Sequence, residues 1–334
     1  MRVPVFSLAL GALAVVAAFA LPAMVDMFSL LSMTVYLIMA LLALSLAFVW
    51  GHGGILCFGQ AAFFGLGAYA WAVGAFNFGP GLLALALAVL VPAVFAALLG
   101  YFMFYGKISD VYLGVITLAV TLILFNLMNS TSGDSYRIGE ALLGGFNGIP
   151  SIPPLTLPGA DEPLMPEGSF TLVALLLVAA YFGLRLVMAS RFGRVVAAVR
   201  ENEQRALLLG YNASAYKLAA FTLGGALAGL AGMLYANWGA FVSPGVFGLA
   251  QSAQIIIWVI VGGRGTLIGP IIACVALQAM VTELGAQQSI DTGVVLGAIL
   301  ILFVLLIPRG LAPTFMDLAR RLTRGAGRTP KEQT

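Results

Sequence analysis

Charge is what this sequence has least of. Asp, Glu, Lys and Arg make up 9% of its 334 residues, against roughly a quarter of an ordinary soluble domain, so the chain cannot clothe itself in the polar surface that water demands. It also has a single histidine, His52, and two cysteines. One imidazole, with no His-Glu-x-x-His pair and no Cys/His cluster, supplies no ligand set for a metal enzyme. Cys57 and Cys274 both lie inside apolar runs, where a small soft side chain packs well and neither a disulfide nor redox chemistry is implied. There is no Gly-x-x-x-x-Gly-Lys-Ser/Thr loop to cradle ATP and no Gly-x-Ser-x-Gly elbow to present a nucleophile. No catalytic residue, cofactor or metal is expected, and enzymatic function has no visible support.

What the chain does have is apolar sequence. Hydrophobic residues account for 61% of it and the mean hydropathy is +1.05, which only a protein whose main solvent is lipid can sustain. The fold class expected is all-α: an integral membrane protein, a polytopic helical bundle of about nine or ten transmembrane helices. Runs long enough to cross a bilayer of about 20 residues' depth can be marked at 3–24, 28–50, 55–76, 82–105, 111–129, 170–188, 213–238, 247–261, 267–284 and 294–307. The first is read as an uncleaved span, because it is longer than a usual signal-peptide core, although Ala18-Phe19-Ala20 has the look of a cleavage site. The stretch 248–284 stays open between two spans and a re-entrant pair of half-helices with Gly262 to Gly265 at its tip.

Net charge +3 and a pI near 8.9 do not point to nucleic acid. The basic residues sit at span edges and in the tail, where the positive-inside rule explains them and membrane lipid is their neighbour. The rule places both termini of a multi-pass membrane protein in the cytoplasm. Residues 1–308 then form the transmembrane domain and 309–334 a cytoplasmic tail. The segment 130–169 carries five carboxylates against the lone basic Arg137 and is read as external, either an ordered loop or lid or a solvated connector. Segment 190–212 is the cytoplasmic loop, and it is the densest run of charge between spans. It reads as a short amphipathic helix with Val195, Val196, Val199 and Ala206 near helical spacing and Gly210 as its stop. Such a helix suits docking into a groove on a soluble partner; an ordinary positive-inside loop is the plainer alternative.

Polar residues within spans face other helices or a cavity. Gln60, Thr117, Thr121, Asn126 and Gln254 are the candidates to line a path, or else to form interhelical hydrogen bonds. No span centre holds a carboxylate, which argues against a proton-coupled carrier, and no filter-like repeat or charge ring suggests a channel. A permease with an uncharged path, driven by a separate chain, remains, with an ATP-independent carrier or channel as the alternative from another class.

The stretches GGILCFGQAAFFGLGAYA at 53–70, VYLGVITLAVTLIL at 111–124, GGFNGI at 144–149, the run 191–236 and VGGRGTLIGP at 261–270 resemble the permease subunits, of the M type, of ATP-binding cassette importers for branched-chain amino acids. The resemblance covers nearly the whole chain. It implies a heteromeric importer: this subunit, a second homologous permease, two ATP-binding cassette ATPase subunits and a periplasmic substrate-binding protein. The family's coupling region falls on 194–210, which implicates Arg194, Arg200, Glu201, Asn202, Glu203, Arg205 and Gly210 in contact with the ATPase. The family often has serine where Cys57 stands and histidine where Gln60 stands, and Gln60 is shared with the related urea permeases, so urea or a short amide is the alternative substrate.

Overall fold

The computed structural model describes residues 5–156, 163–286, 297, 298 and 301. Among them, six helices are long and apolar enough to cross a bilayer, joined by three shorter apolar ones. The tenth expected span, 294–307, apart from 297, 298 and 301, and the tail lie outside the described residues. The long helices are α2 (Met27–Leu46, continued by a π-helical turn, Ala47–His52), α3 (Gln60–Phe78), α4 (Leu82–Tyr105), α5 (Asp110–Ser130), α6 (Pro166–Ala189) and α9 (Ala213–Gly239). The shorter ones are α1 (Val5–Ala20), α10 (Leu249–Gly262) and α11 (Ile268–Ala286). Two further short helices, α7 (Arg191–Glu201) and α8 (Glu203–Leu208), lie between α6 and α9.

The centre of the bundle is α9, wedged between α3 and α4. Small residues make this possible, since in lipid it is close backbone packing rather than the hydrophobic effect that joins helices. A side chain at Gly229 would fall on the Pro92 ring of α4, one at Gly232 on the Phe64 carbonyl of α3, and one at Gly67 of α3 on the backbone of Gly229. Gly225 and Gly229 thus face α4, and Gly229 and Gly232 also let α3 approach. On the rim, α1 packs against α6. The Phe182 ring occupies the space beside Gly11, and the Thr171 hydroxyl donates to the Ala18 carbonyl at 3.1 Å.

Two helices start later than apolar runs suggest. After His52 the chain turns back into the bundle as a non-helical segment, 53–59, and α3 begins only at Gln60. Gln60 touches Gly224 of α9, eleven residues or about 17 Å above that helix's start, so this break lies deep in the bundle. From the other end, residues 240–248 descend to place Phe247 against Gly65 and Tyr69 of α3, and α10 then runs for only 14 residues, about 21 Å. Irregular backbone at such depth is tolerated only where protein covers it or a cavity takes it up.

The ends of the bundle differ. One end gathers Lys107, α7, α8 and the α10–α11 turn with Arg264; it is called the basic end below. At the opposite, loop end the segment after α5 is tied down along its described length. Strands β1 (Arg137–Ile138) and β2 (Ala141–Leu142) pair antiparallel, and the Asn77 side chain at the top of α3 donates to the Ile138 carbonyl at 2.9 Å and accepts from the Glu140 N–H at 2.9 Å. Further on, Ile149 bridges to Val242, and the Leu155 N–H donates to Asn237 Oδ1 of α9 at 2.6 Å. These contacts order the described part of this segment against the bundle. Asp26, also at this end, caps α2 by accepting from the Ser29 N–H at 3.0 Å, and that bond holds its carboxyl below the ordinary carboxylate range.

Candidate functional site

Three capping side chains shape the basic end. Ser190 accepts from the Gly193 N–H at 3.4 Å and starts α7; Asn202 accepts from the Arg205 N–H at 2.9 Å and starts α8; Asn212 accepts from the Ala215 N–H at 3.1 Å and starts α9. Each satisfies one of the orphan donors of a helix N-terminus. The single helix expected here is thus two. Asn202 sits in extended conformation, which stops α7, while Gly210 at φ +86° ends the segment. The apolar face is formed as the spacing predicts, with Val195, Val196, Val199 and Ala206 buried.

What this segment presents outward is mixed. Arg194, Glu201, Asn202, Arg205 and Gly210 are exposed. So are Leu207, Leu208 and Leu209, the middle one at 87%, and apolar side chains this bare beside so many charges mark a surface meant to be covered. A cleft of about 590 Å³ opens next to them, lined by Arg191, Arg194, Val195, Ala198, Tyr211 and Tyr216. Three of the residues expected to face a partner are also tied to their own chain: Arg194 Nη1 donates to the Ala189 carbonyl at the end of α6 at 2.9 Å. Arg200 Nη1 donates to the Gly51 carbonyl at 2.6 Å, and Glu203 accepts from Lys217 Nζ of α9 at 2.5 Å, with Asp110 of α5 at 3.9 Å from the same ammonium.

The second cluster is buried at the start of α3. Gln60 Nε2 donates to Ser45 Oγ of α2 at 2.8 Å and to the Gly224 carbonyl at 3.2 Å, and Ser45 Oγ donates to the Leu42 carbonyl at 2.6 Å. Thr117 Oγ1 accepts from the Phe58 N–H at 3.1 Å and donates to Gly114, while Thr121 Oγ1 donates to the Thr117 carbonyl at 2.8 Å. Gly59 lies so close that a side chain there would strike that same carbonyl. Of these groups Thr117 supplies the non-helical backbone with a partner, at the Phe58 N–H, that it cannot draw from water. Among the described residues, the Gln60 Oε1 and Ser252 Oγ atoms are buried with no hydrogen-bond partner.

Residues 27–305 match the family model described as branched-chain amino acid transport system / permease component. The chain belongs to that family. It is 33% identical over 322 residues to the high-affinity branched-chain amino acid transport system permease protein LivM of Salmonella typhimurium strain LT2, a similarity covering 89% of this chain and 73% of the relative. It is 32% identical over 304 residues to the LivM permease of Escherichia coli strain K12, covering 84% of this chain and 69% of that one. No solved structure gives a significant match. A permease of this family is a multi-pass inner-membrane subunit of an ATP-binding cassette transporter, not an enzyme.

Within this permease the five polar residues picked from the spans separate. Gln60, Thr117 and Thr121 come together at the α3 start. Asn126 is exposed on α5 and donates to the Leu122 carbonyl one turn back at 2.9 Å; Gln254 is half-buried on α10. Sequence reasoning missed Ser45, whose signal was only a serine at the centre of an apolar run. It also passed over Leu207 to Leu209, which a polarity scan takes for core, and Lys217, which stands four residues into a span.

Proposed function

We propose that this permease carries branched-chain amino acids inward as one of two homologous membrane subunits of an importer, receiving them from a periplasmic binding protein and driven by two separate ATPase subunits. The observation that carries the reading is the basic end itself: a capped, two-helix segment between long spans that holds exposed leucines and arginines away from the bundle. The positive-inside rule puts that end in the cytoplasm and segment 130–169 outside. ATPase subunits closing on α7 and α8 displace them, and the spans rock about a site reached alternately from each side.

The breaks at 53–59 and 240–248 support a path along α3. Both bring irregular backbone to the middle of the bundle, where transporters place their sites, and Gln60, Thr117 and Thr121 stand at the lower one. A neutral path of this kind suits a substrate whose charges cancel.

The test is uptake into proteoliposomes holding the complex that co-purifies with this chain, supplied with binding protein and labelled leucine. ATP-dependent uptake competed by isoleucine and valine is expected. Uptake without ATP would establish the carrier reading in its place, and competition by urea or acetamide but not by valine would establish the amide reading. Replacing Glu201 and Glu203 together by glutamine should leave the complex in the membrane and cut uptake per ATP hydrolysed about tenfold, since 1.4 kcal/mol of lost coupling has that effect; a normal ratio would sink the docking assignment.

A further inference from the structure

We infer that Arg200 is the residue through which movement of α7 and α8 reaches the interior of the permease, a positioning role directed at its own chain and resting on the importer reading above. Its surroundings differ from those of every other charged residue on the segment. The guanidinium donates to the Gly51 carbonyl at 2.6 Å and, on its other side, pairs with Glu201 at 2.6 Å. Its aliphatic stem lies where a side chain at Gly54 would project, 2.5 Å from that position, and Gly54 has φ +72°. Only glycine takes that backbone conformation freely while letting the stem this close.

Gly51 has no slack on its far side. A side chain there would strike the carbonyl of Arg264 in the α10–α11 turn, and the Arg264 guanidinium carbon stands 5.8 Å from the Trp50 ring centre. One arginine thus joins three elements at a point: the end of α7, the end of α2, and the turn that starts α11. The end of α2 is also the part of that helix built to yield. Residues Ala47–His52 form a π-helical turn, with the Gly53 N–H bonded to the Phe48 carbonyl at 2.9 Å, and π turns inside membrane helices gather at functional positions. Beyond Gly54 no helix intervenes before Gln60. A push on Arg200 therefore arrives at the 53–59 segment and its Thr117 contact with nothing in between to absorb it.

The experiment uses the purified complex in proteoliposomes, with Cys274→Ala so that Cys57, buried within the 53–59 segment, is the reporter thiol of this subunit. The parent must first show ATP-dependent uptake; without it the importer reading fails, whatever Arg200 does. Arg200→Gln is expected to retain its ATPase subunits and its basal ATP hydrolysis within twofold, while uptake per ATP falls at least tenfold. Arg200→Lys, which keeps a stem against Gly54 and a cationic donor, should recover uptake to within fivefold. Labelling of Cys57 by a membrane-permeant maleimide should change severalfold when nucleotide is trapped in the parent, and should lose that response in Arg200→Gln. Unchanged uptake per ATP in Arg200→Gln overturns the inference, as does loss of the ATPase subunits from that variant, which would make Arg200 a docking contact. Should Arg200→Gln fail to accumulate, the parent's labelling decides: a Cys57 indifferent to trapped nucleotide also overturns it.

Discussion

The permease interrupts its helices in two places that solve one problem by opposite means. Segment 190–212 breaks between α7, α8 and α9 at the aqueous end, and each new helix is started by a side chain from its own doorstep, Ser190, Asn202 or Asn212. Segment 53–59 breaks inside the bundle, and its Phe58 N–H is satisfied only by Thr117, 59 residues away on α5. Water stands behind the first arrangement and replaces any partner that is lost. Nothing stands behind the second, so the same kind of substitution should cost more there.

That contrast can be broken by paired changes. Gly59→Ala should do the most damage, about 3 kcal/mol of overpacking, because the added methyl falls on the Thr117 carbonyl and not on a side chain that could move; the melting temperature in detergent should drop and little complex be recovered. Its counterpart Gly210→Ala meets open space and should cost only about 1 kcal/mol for the left-handed backbone. Thr117→Val comes next at about 2 kcal/mol, since it leaves the Phe58 amide unpaired in a dry place, again read as a lower melting temperature. Asn202→Ala should cost about 1 kcal/mol and show as faster hydrogen exchange over α8 with global melting unchanged. Asn126→Leu should be smallest, within about 0.5 kcal/mol, as the amide only caps its own helix from an exposed position. Equal losses for Gly59→Ala and Gly210→Ala would show that burial is not what separates the two breaks.

The same contrast explains how far the sequence could be read. Long spans were legible because hydropathy reports the solvent directly, and segment 190–212 because charge cannot enter hydrocarbon. The start of α3 was not: Ile55, Leu56, Cys57 and Phe58 are apolar whether the backbone is helical or extended, and the partner that permits the extended form is far off in the chain. Composition also gives the cost of burying a polar group without giving its direction. Thr117 and Asn126 looked alike on one helix, yet one faces a backbone donor and the other faces outward. Leu207 to Leu209 failed for the converse reason, since an exposed leucine is indistinguishable in sequence from one destined for the core. Asn202 carried a readable sign, a capping residue followed by Glu203, that was absorbed into a single helix.

The glycine-lined contacts of α9 set how the permease can move. Where helices meet through side chains, rotamers give way and a shift at one end fades before the other. At the Gly67, Gly229 and Gly232 crossings α9 meets its neighbours through backbone and a proline ring, which have no rotamers to spend, and the ring pairs Phe63–Phe221, Phe104–Phe221 and Phe64–Tyr235 fill the interfaces beside them. With 27 residues, α9 is a rod about 40 Å long, anchored through Lys217 to the basic end and through Asn237 to the loop end. It should act as a lever arm of fixed length, so that a tilt begun among the arginines is delivered at full amplitude to the loop end.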